Sequence, residues 1–396
     1  MKGGFFMPSI NVNIAHEVIS WVINQVNYDQ INNKSLYEIM LKWKSGEKIP
    51  TFNQIEDVSK ATKIPFGYFF LQKPPVEDLA ILQYRTIDNY YTNNPSRDLI
   101  DTISSMESIQ DWMKNYLIKS DYSELSFVGA MNYVRDPLRI ANDIRRVIGI
   151  DKEWYSLNAD TAESFRVLRK KLEDIGVIVM MSGIVDQNTH RKLNIEEFRA
   201  FTLIDNYAPL IFINTNDSRS GKLFSLLHET AHIWIGANSF YNDRYNKAIN
   251  ANQDEIICNA IAAELLVPND VFVNLWSGLH NYTDNFSKVK KLAITFRCGT
   301  TVIARRALDN GYITKDAYYA IAEEAIKNYI EKEKNKEASG GDYYVTAASR
   351  YDNRFLVLLD NSVREGKTLF TDAYRITHTN RKTFAKLIDK VRGIDI

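Results

Sequence analysis

Apolar residues recur at intervals of three and four over most of this chain, and only one stretch breaks that rhythm. Within residues 10–72, Ile14, Val18, Ile19, Trp21, Val22, Ile23 and Val26 fall at helical spacing. After a polar run at 32–35, Leu36, Ile39, Met40 and Trp43 do the same. Residues 44–51 mark a turn, and Thr51 suits the N-cap of a helix that starts near Phe52 and ends near Thr62. Lys73-Pro74-Pro75 closes this unit, and residues 76–93 read as an extended connector. Helical spacing returns over 94–148, with Trp112, Met113, Tyr116 and Leu117 on one side, and again over 158–175, where Gly176 ends it. The rhythm then changes. Residues 177–181, 198–204 and 209–213 predict strands, and Asp205-Asn206 between the last two suits a hairpin turn. Helices are predicted at 220–235, stopping before Gly236, and at 253–266, stopping before Pro268, with a polar loop at 238–252 between them. Residues 285–311 read as helix-turn-helix and 314–335 as a charged helix. Ser339-Gly340-Gly341-Asp342 then punctuates the chain before a last small helical unit.

The fold class expected is therefore α+β and mostly helical, with a small sheet just ahead of the helix at 220–235. A length of 396 residues implies about two to four domains. With 45% hydrophobic and 25% charged residues a packed core can form. Lys+Arg and Asp+Glu both total 49, and this neutral balance argues against a protein that coats nucleic acid nonspecifically while leaving room for a local basic face. Two cysteines, Cys258 and Cys298, make no disulfide framework and point to a reducing, cytoplasmic setting. The N-terminus has no apolar run of signal-peptide length, and stretches such as 177–181 fall far short of the roughly 20 residues a bilayer requires. No membrane partner is expected.

The chemistry concentrates in Leu227-His228-Glu229-Thr230-Ala231-His232-Ile233. Residues four apart share a helix face, so His228 and His232 can bind one metal ion, and Glu229 beside the first ligand can act as general base on a metal-activated water. Polar groups on a helix flanked by Leu226, Leu227, Ile233 and Trp234 are costly unless something satisfies them, and a metal does. Zn2+ held by two imidazoles and one carboxylate keeps a fourth position open. The following helix offers Asp254, Glu255 and Glu264 as the third ligand. Glu255 and Glu264, nine positions apart, are about half a turn out of phase at roughly 100° per residue, so only one can face the metal. Glu255 shares its face with Cys258, Asn259 and Ala262, which favours it, although phase alone does not say which face points inward. Cys258 reads more simply as a small buried hydrophobe.

Residues 227–236, with Glu255, Cys258-Asn259 and Ala262-Ala263-Glu264-Leu265-Leu266-Val267-Pro268, resemble the ImmA/IrrE family of bacterial metallopeptidases. The resemblance implies a zincin-like peptidase core in which Glu255 is the third zinc ligand. Residues 197–201 and 208–214 resemble the family's sheet ahead of the motif. Residues 43–51 and 65–71 resemble the Cro-like (XRE) helix-turn-helix often fused in front of this peptidase, with Trp43-Lys44 where Trp-Glu is usual and a short stretch at 27–35. Residues 289–308 resemble the helix-turn-helix that follows the core, and 340–393 resemble a C-terminal module of long members. The expected organisation is an XRE-like domain at 1–75, a helical connector at 76–150, the peptidase core at 151–284, a second helix-turn-helix-like subdomain at 285–336 and a helical module at 337–396.

Other residues carry weaker signals. Asn259, His280 and Tyr282 are candidates for a second shell or for stabilising the oxyanion of peptide attack, against a plain surface loop for the last two. Lys42, Lys44, Arg297, Arg305 and Arg306, with Lys290 and Lys291, are candidates for phosphate contacts, against a solvated helical face. His190 and His378 lie in polar turns. Tyr90-Tyr91 and Tyr318-Tyr319 read as packing rather than base stacking. The favoured function is a zinc-dependent endopeptidase that cleaves a regulatory protein, by the resemblance a DNA-binding repressor or a genomically linked partner. The alternative is a non-catalytic regulator or antitoxin that binds DNA and a toxin. A homodimer is compatible with either.

Overall fold

The computed structural model describes residues 10–26, 33–75, 95–241, 253–282, 284–334 and 342–393. The expected connector at 76–93, Tyr90-Tyr91, most of the polar loop at 238–252 and the Ser339-Gly340-Gly341 punctuation lie largely outside these residues. The chain divides into two compact units, one of residues 1–80 and 90–101, the other of 81–89 and 102–396.

In the first unit, α1 (His16–Gln25), α2 (Lys34–Lys44), α3 (Phe52–Thr62) and a 3-10 turn (Phe66–Phe70) close around Val18, Val22, Met40, Trp43, Ile55, Val58 and Phe69. Val18, Val22, Met40 and Trp43 are among the apolar positions that helical spacing singles out. Thr51 and Gln54 form a reciprocal capping box, the Gln54 N–H donating to Thr51 Oγ1 at 3.4 Å and the Thr51 N–H to Gln54 Oε1 at 3.2 Å. Lys42 and Lys44 stand exposed on α2, Lys42 at 3.8 Å from Glu47.

The second unit is built on a four-stranded sheet in the order β1 (Ile178–Ser182), β3 (Leu210–Asn214), β2 (Ala200–Leu203), β4 (Ser239–Tyr241). β1 runs parallel to β3, in register from Ile178–Leu210 to Ser182–Asn214, and β2 is antiparallel to both β3 and β4. Every residue of β2 and β3 is buried, as strands covered on both faces require. The hairpin turn forms as expected, with Asp205 Oδ1 accepting from the N–H groups of Tyr207 and Ala208. β4 falls in the segment read as polar loop. Three residues are too short a run to show strand rhythm, and pairing with β2 makes them a strand.

Helix α4 (Arg97–Lys119) lies against the β2–β3 hairpin, where Gln110 Nε2 donates to the carbonyls of Leu203 and Ala208, both at 2.9 Å. The stretch 94–148, read as helical throughout, holds two helices with a non-helical link between them. Residues 120–136 form a turn-rich link, and α5 (Pro137–Ile148) restarts with Asp136 as N-cap and Pro137 in the first turn. The link has a task. The N–H groups of Gly129 and Met131 donate to the carbonyls of Ile233 and Trp234 at 2.8 and 2.9 Å, satisfying the end of the motif helix.

Helices α6 (Thr161–Asp174), α7 (Arg219–Ile235), α8 (Gln253–Leu266), α9 (Asn269–Ser277), α10 (Asn285–Thr295), α11 (Thr300–Asp309) and α12 (Lys315–Lys334) share one hydrophobic core with α5 and one face of the sheet. α9 was not expected from the sequence. Pro268, which stops α8, serves as its N-cap. Helices α13 (Tyr343–Ser349), α14 (Asn353–Arg364), α15 (Phe370–Ile376) and α16 (Arg381–Val391) close the chain. The fold is thus α+β and mostly helical. No single helix among the described residues is long and apolar enough to cross a membrane; α8 and α9 pass such a test only together and bent, and α8 is largely buried in the core.

Candidate metal centre

α7 carries the motif. Ser218 caps its N-terminus, accepting from the Gly221 N–H at 2.9 Å, and Gly236 ends it in the left-handed conformation at φ 79°. Leu223, Leu226, Leu227 and Ala231 pack into the core with Ala200, Ile211 and Ile213 of the sheet. His228, Glu229 and His232 are buried to within 1% of full coverage. α8 lies alongside, and Glu255 in its first turn reaches both imidazoles. His228 Nε2 is 3.1 Å from Glu255 Oε2, and His232 Nε2 is 3.2 Å from Glu255 Oε1. The two Nε2 atoms are 3.1 Å apart. One ligand atom from each of the three residues lies within 4.8 Å of the others, the one such group of His, Cys, Asp and Glu among the described residues.

This donor set fits zinc. Two imidazole nitrogens and one carboxylate match its preferred chemistry, and nitrogens converging in a buried pocket have no better partner than a cation. The Glu255 side chain keeps 32% of its surface exposed, so solvent reaches the cluster from that side. Burial works against charge at Glu255, yet the facing imidazoles of His228 and His232 hold its carboxyl well below the usual range. Burial likewise opposes charge on His232, but the Cys258 thiol and the Glu255 carboxylate beside it keep its pKa well above the ordinary imidazole value. Cys258 is fully buried on α8, and burial raises its thiol pKa.

Glu229 points toward the sheet. Its Oε2 accepts from Thr202 Oγ1 of β2 at 2.6 Å and from Ser239 Oγ of β4, while Oε1 is buried without a hydrogen-bond partner. Neither Thr202 nor Ser239 is singled out by sequence reasoning. Thr202 leaves one signal, a lone hydroxyl inside an otherwise apolar strand. Ser239 leaves none.

Residues 173–308 match the family model of the IrrE N-terminal-like domain of the M78 peptidases. The IrrE-like stretch contains all three metal-facing side chains, Glu229 and both hydroxyls that hold it. A second stretch, 351–390, matches a domain of unknown function, DUF8813. No curated protein and no solved structure matches the chain.

The remaining candidates separate cleanly. Asn259, one turn beyond Glu255, keeps a buried Oδ1 without a partner. His280 is exposed and Tyr282 half-buried in the turn after α9, and neither joins the metal-facing group. Glu264 turns the opposite way from Glu255, as helix phase requires, and accepts from Arg306 Nη2 at 2.9 Å with Arg145 at 3.6 Å. Arg306 is therefore no phosphate contact; it also donates through Nε to the Val267 carbonyl and anchors α11 to α8. Arg297 is likewise engaged inside the unit, donating through Nε to the Asn158 carbonyl at 2.9 Å and through Nη1 to that of Ile294. Arg305 is exposed and pairs along its own helix with Asp309 at 2.9 Å. His190 is exposed in its turn, and His378 sits 3.1 Å from Asp186.

Proposed function

We propose that this chain is a zinc-dependent endopeptidase acting on a regulatory protein. The observation that carries the reading is the convergence of His228, His232 and Glu255 beside Glu229, inside a stretch that matches a peptidase domain. Zinc bound there supplies a Lewis acid that polarises a peptide carbonyl and makes a water acidic near neutral pH. Glu229 takes the proton of the attacking water at Oε1, the oxygen without a partner, and returns it to the leaving nitrogen. Thr202 and Ser239 hold the other oxygen, so the carboxylate keeps its orientation through both transfers. The substrate favoured by the resemblance is a DNA-binding repressor or a partner encoded nearby.

Glu229→Gln tests this directly. The variant should retain one zinc per chain and lose cleavage of the partner protein together with any phenotype that depends on it.

A second reading draws on the first unit, which exposes Leu41, Ile49, Phe52, Phe70 and Leu71 as well as Lys42 and Lys44. Apolar exposure of this kind suits a protein contact, and under this reading the chain regulates by holding a toxin or DNA without cutting. Survival of the full biological effect in Glu229→Gln would establish that reading in place of the peptidase one.

A further inference from the structure

β1 is an edge strand, and the segment between α13 and α14 covers part of it. The Met181 N–H donates to the Arg350 carbonyl at 2.8 Å, and the Val179 N–H donates to Asp352 Oδ2 at 3.2 Å. Where β1 and β3 end, side by side and parallel, this covering segment stands off and leaves a cleft with a cavity volume of about 330 Å³. Its walls come from three stretches far apart in sequence. Lys192 belongs to the loop after β1, Thr215 and Asn216 follow β3, and Thr346, Ser349 and Arg350 belong to α13 and its end.

The lining holds two cations, hydroxyls and an amide, and no carboxylate. Among the described residues neither Lys192 nor Arg350 has a carboxylate within ion-pair distance. Arg350 is half-buried, and its side chain's hydrogen bond goes through Nη1 to the neutral Gln187. Burial draws its pKa below the ordinary arginine value, which only neighbouring tyrosines oppose. A half-buried guanidinium without a counter-ion is costly, and an anion is what relieves it. The cleft is also braced. Asn216 Nδ2 donates to the carbonyls of Gly183 and Leu193, both at 2.8 Å, and a Cβ at Gly183 would come within 2.3 Å of Asn216 Oδ1. A side chain at 183 would therefore displace the Asn216 and Thr215 side chains that line the cleft. The crevice beyond the carboxyl ends of neighbouring parallel strands is where open α/β sheets take ligands.

We propose that this cleft binds the phosphate group of a small anionic ligand, with Arg350 and Lys192 neutralising the charge and the Thr215 and Thr346 hydroxyls donating to its oxygens. The site is separate from the metal centre. It touches the loop at 215–218 that leads straight into α7, so an occupant ties the C-terminal helices to the start of the helix that carries His228 and His232.

Isothermal titration of the full chain with inorganic phosphate and with AMP tests the proposal. Saturable binding of one equivalent is expected, weakened about tenfold or more in Arg350→Met and in Lys192→Met, in keeping with loss of a charge-assisted contact. Arg305→Met, on a different surface, should bind as the parent does. Equal affinity for the two probes points to free phosphate as the source, and tighter AMP binding to a nucleotide. Hydrogen exchange should slow at 343–352 and 183–193 on addition of the tighter probe. Absence of binding to both probes overturns the proposal. So does unchanged affinity in Lys192→Met, an exposed position whose replacement leaves the fold alone even if Arg350→Met does not.

Discussion

Glu229 takes both of its hydrogen bonds on one oxygen. Under the proposed function this divides the carboxylate into a held side and a working side, and two hydroxyls that the sequence does not single out position it. Replacing Thr202 with Val, nearly the same volume, should leave zinc content unchanged and lower the cleavage rate roughly 10- to 100-fold, the range expected for losing a hydrogen bond to a charged group. Adding Ser239→Ala should cost more than the product of the two single losses, because in each single variant the remaining hydroxyl still orients the same oxygen and the double variant keeps neither. Rates and metal content measured together check both statements, and Thr202→Ser should recover most of the activity. His228 and His232 were legible in the sequence because i, i+4 spacing is a local property; helix phase narrowed the third side chain to Glu255 or Glu264, and the family resemblance pointed to Glu255. Thr202 and Ser239 stand 27 and 10 residues from Glu229, and only sheet pairing and packing of α7 bring them to it.

α7 ends where two glycines meet. A Cβ at Gly236 would come within 2.9 Å of the Gly129 Cα, and its φ of 79° already disfavours any other residue. Gly236→Ala should destabilise the fold by about 1–3 kcal/mol, read as a lower urea midpoint, with a loosened grip of the 125–131 link on the helix end. At the opposite edge of the sheet, Arg169 joins Glu173 of α6 to the carbonyls of Val179, Ser349 and Tyr351. Burial, with the Asp352 carboxylate nearby, pushes the Glu173 carboxyl up from 4.5 to about 7 despite the Arg169 guanidinium. Burial raises Asp352 as well. The sign follows from proton uptake. Between about 4.5 and about 7 the folded chain holds more protons at this site than the unfolded one, so its stability falls as pH rises through that window and levels off above it. Denaturant midpoints across the window should show that fall in the parent chain and a flatter profile in Glu173→Gln. Helix and strand rhythm anticipated most of these elements. It failed at 120–136, where a link exists to satisfy carbonyls of a distant helix, and at 239–241, where three residues become a strand only through their partner.

A metal held by His228, His232 and Glu255 would join α7 to α8, so its loss should be felt beyond chemistry. Treatment with a chelator should abolish cleavage and lower the thermal midpoint by several degrees, and one equivalent of zinc per chain should restore both. Calorimetry and metal analysis on the same sample check this, and a midpoint that ignores the chelator would show that the cluster folds without help from the ion. The helix carrying two histidines and a glutamate, the opposed phases of Glu255 and Glu264, and the mostly helical character follow from periodicities within a dozen residues, and the chain alone set them. Which basic side chains reach solvent was settled only by packing. Arg297 and Arg306 share the charge and spacing of Arg305, yet they turn inward to buried acceptors because α10 and α11 press against the segments at 158 and 264–267. Charge is written in a residue's type. The partner that receives it depends on contacts made across 39 to 139 residues of chain, and no local rhythm encodes those.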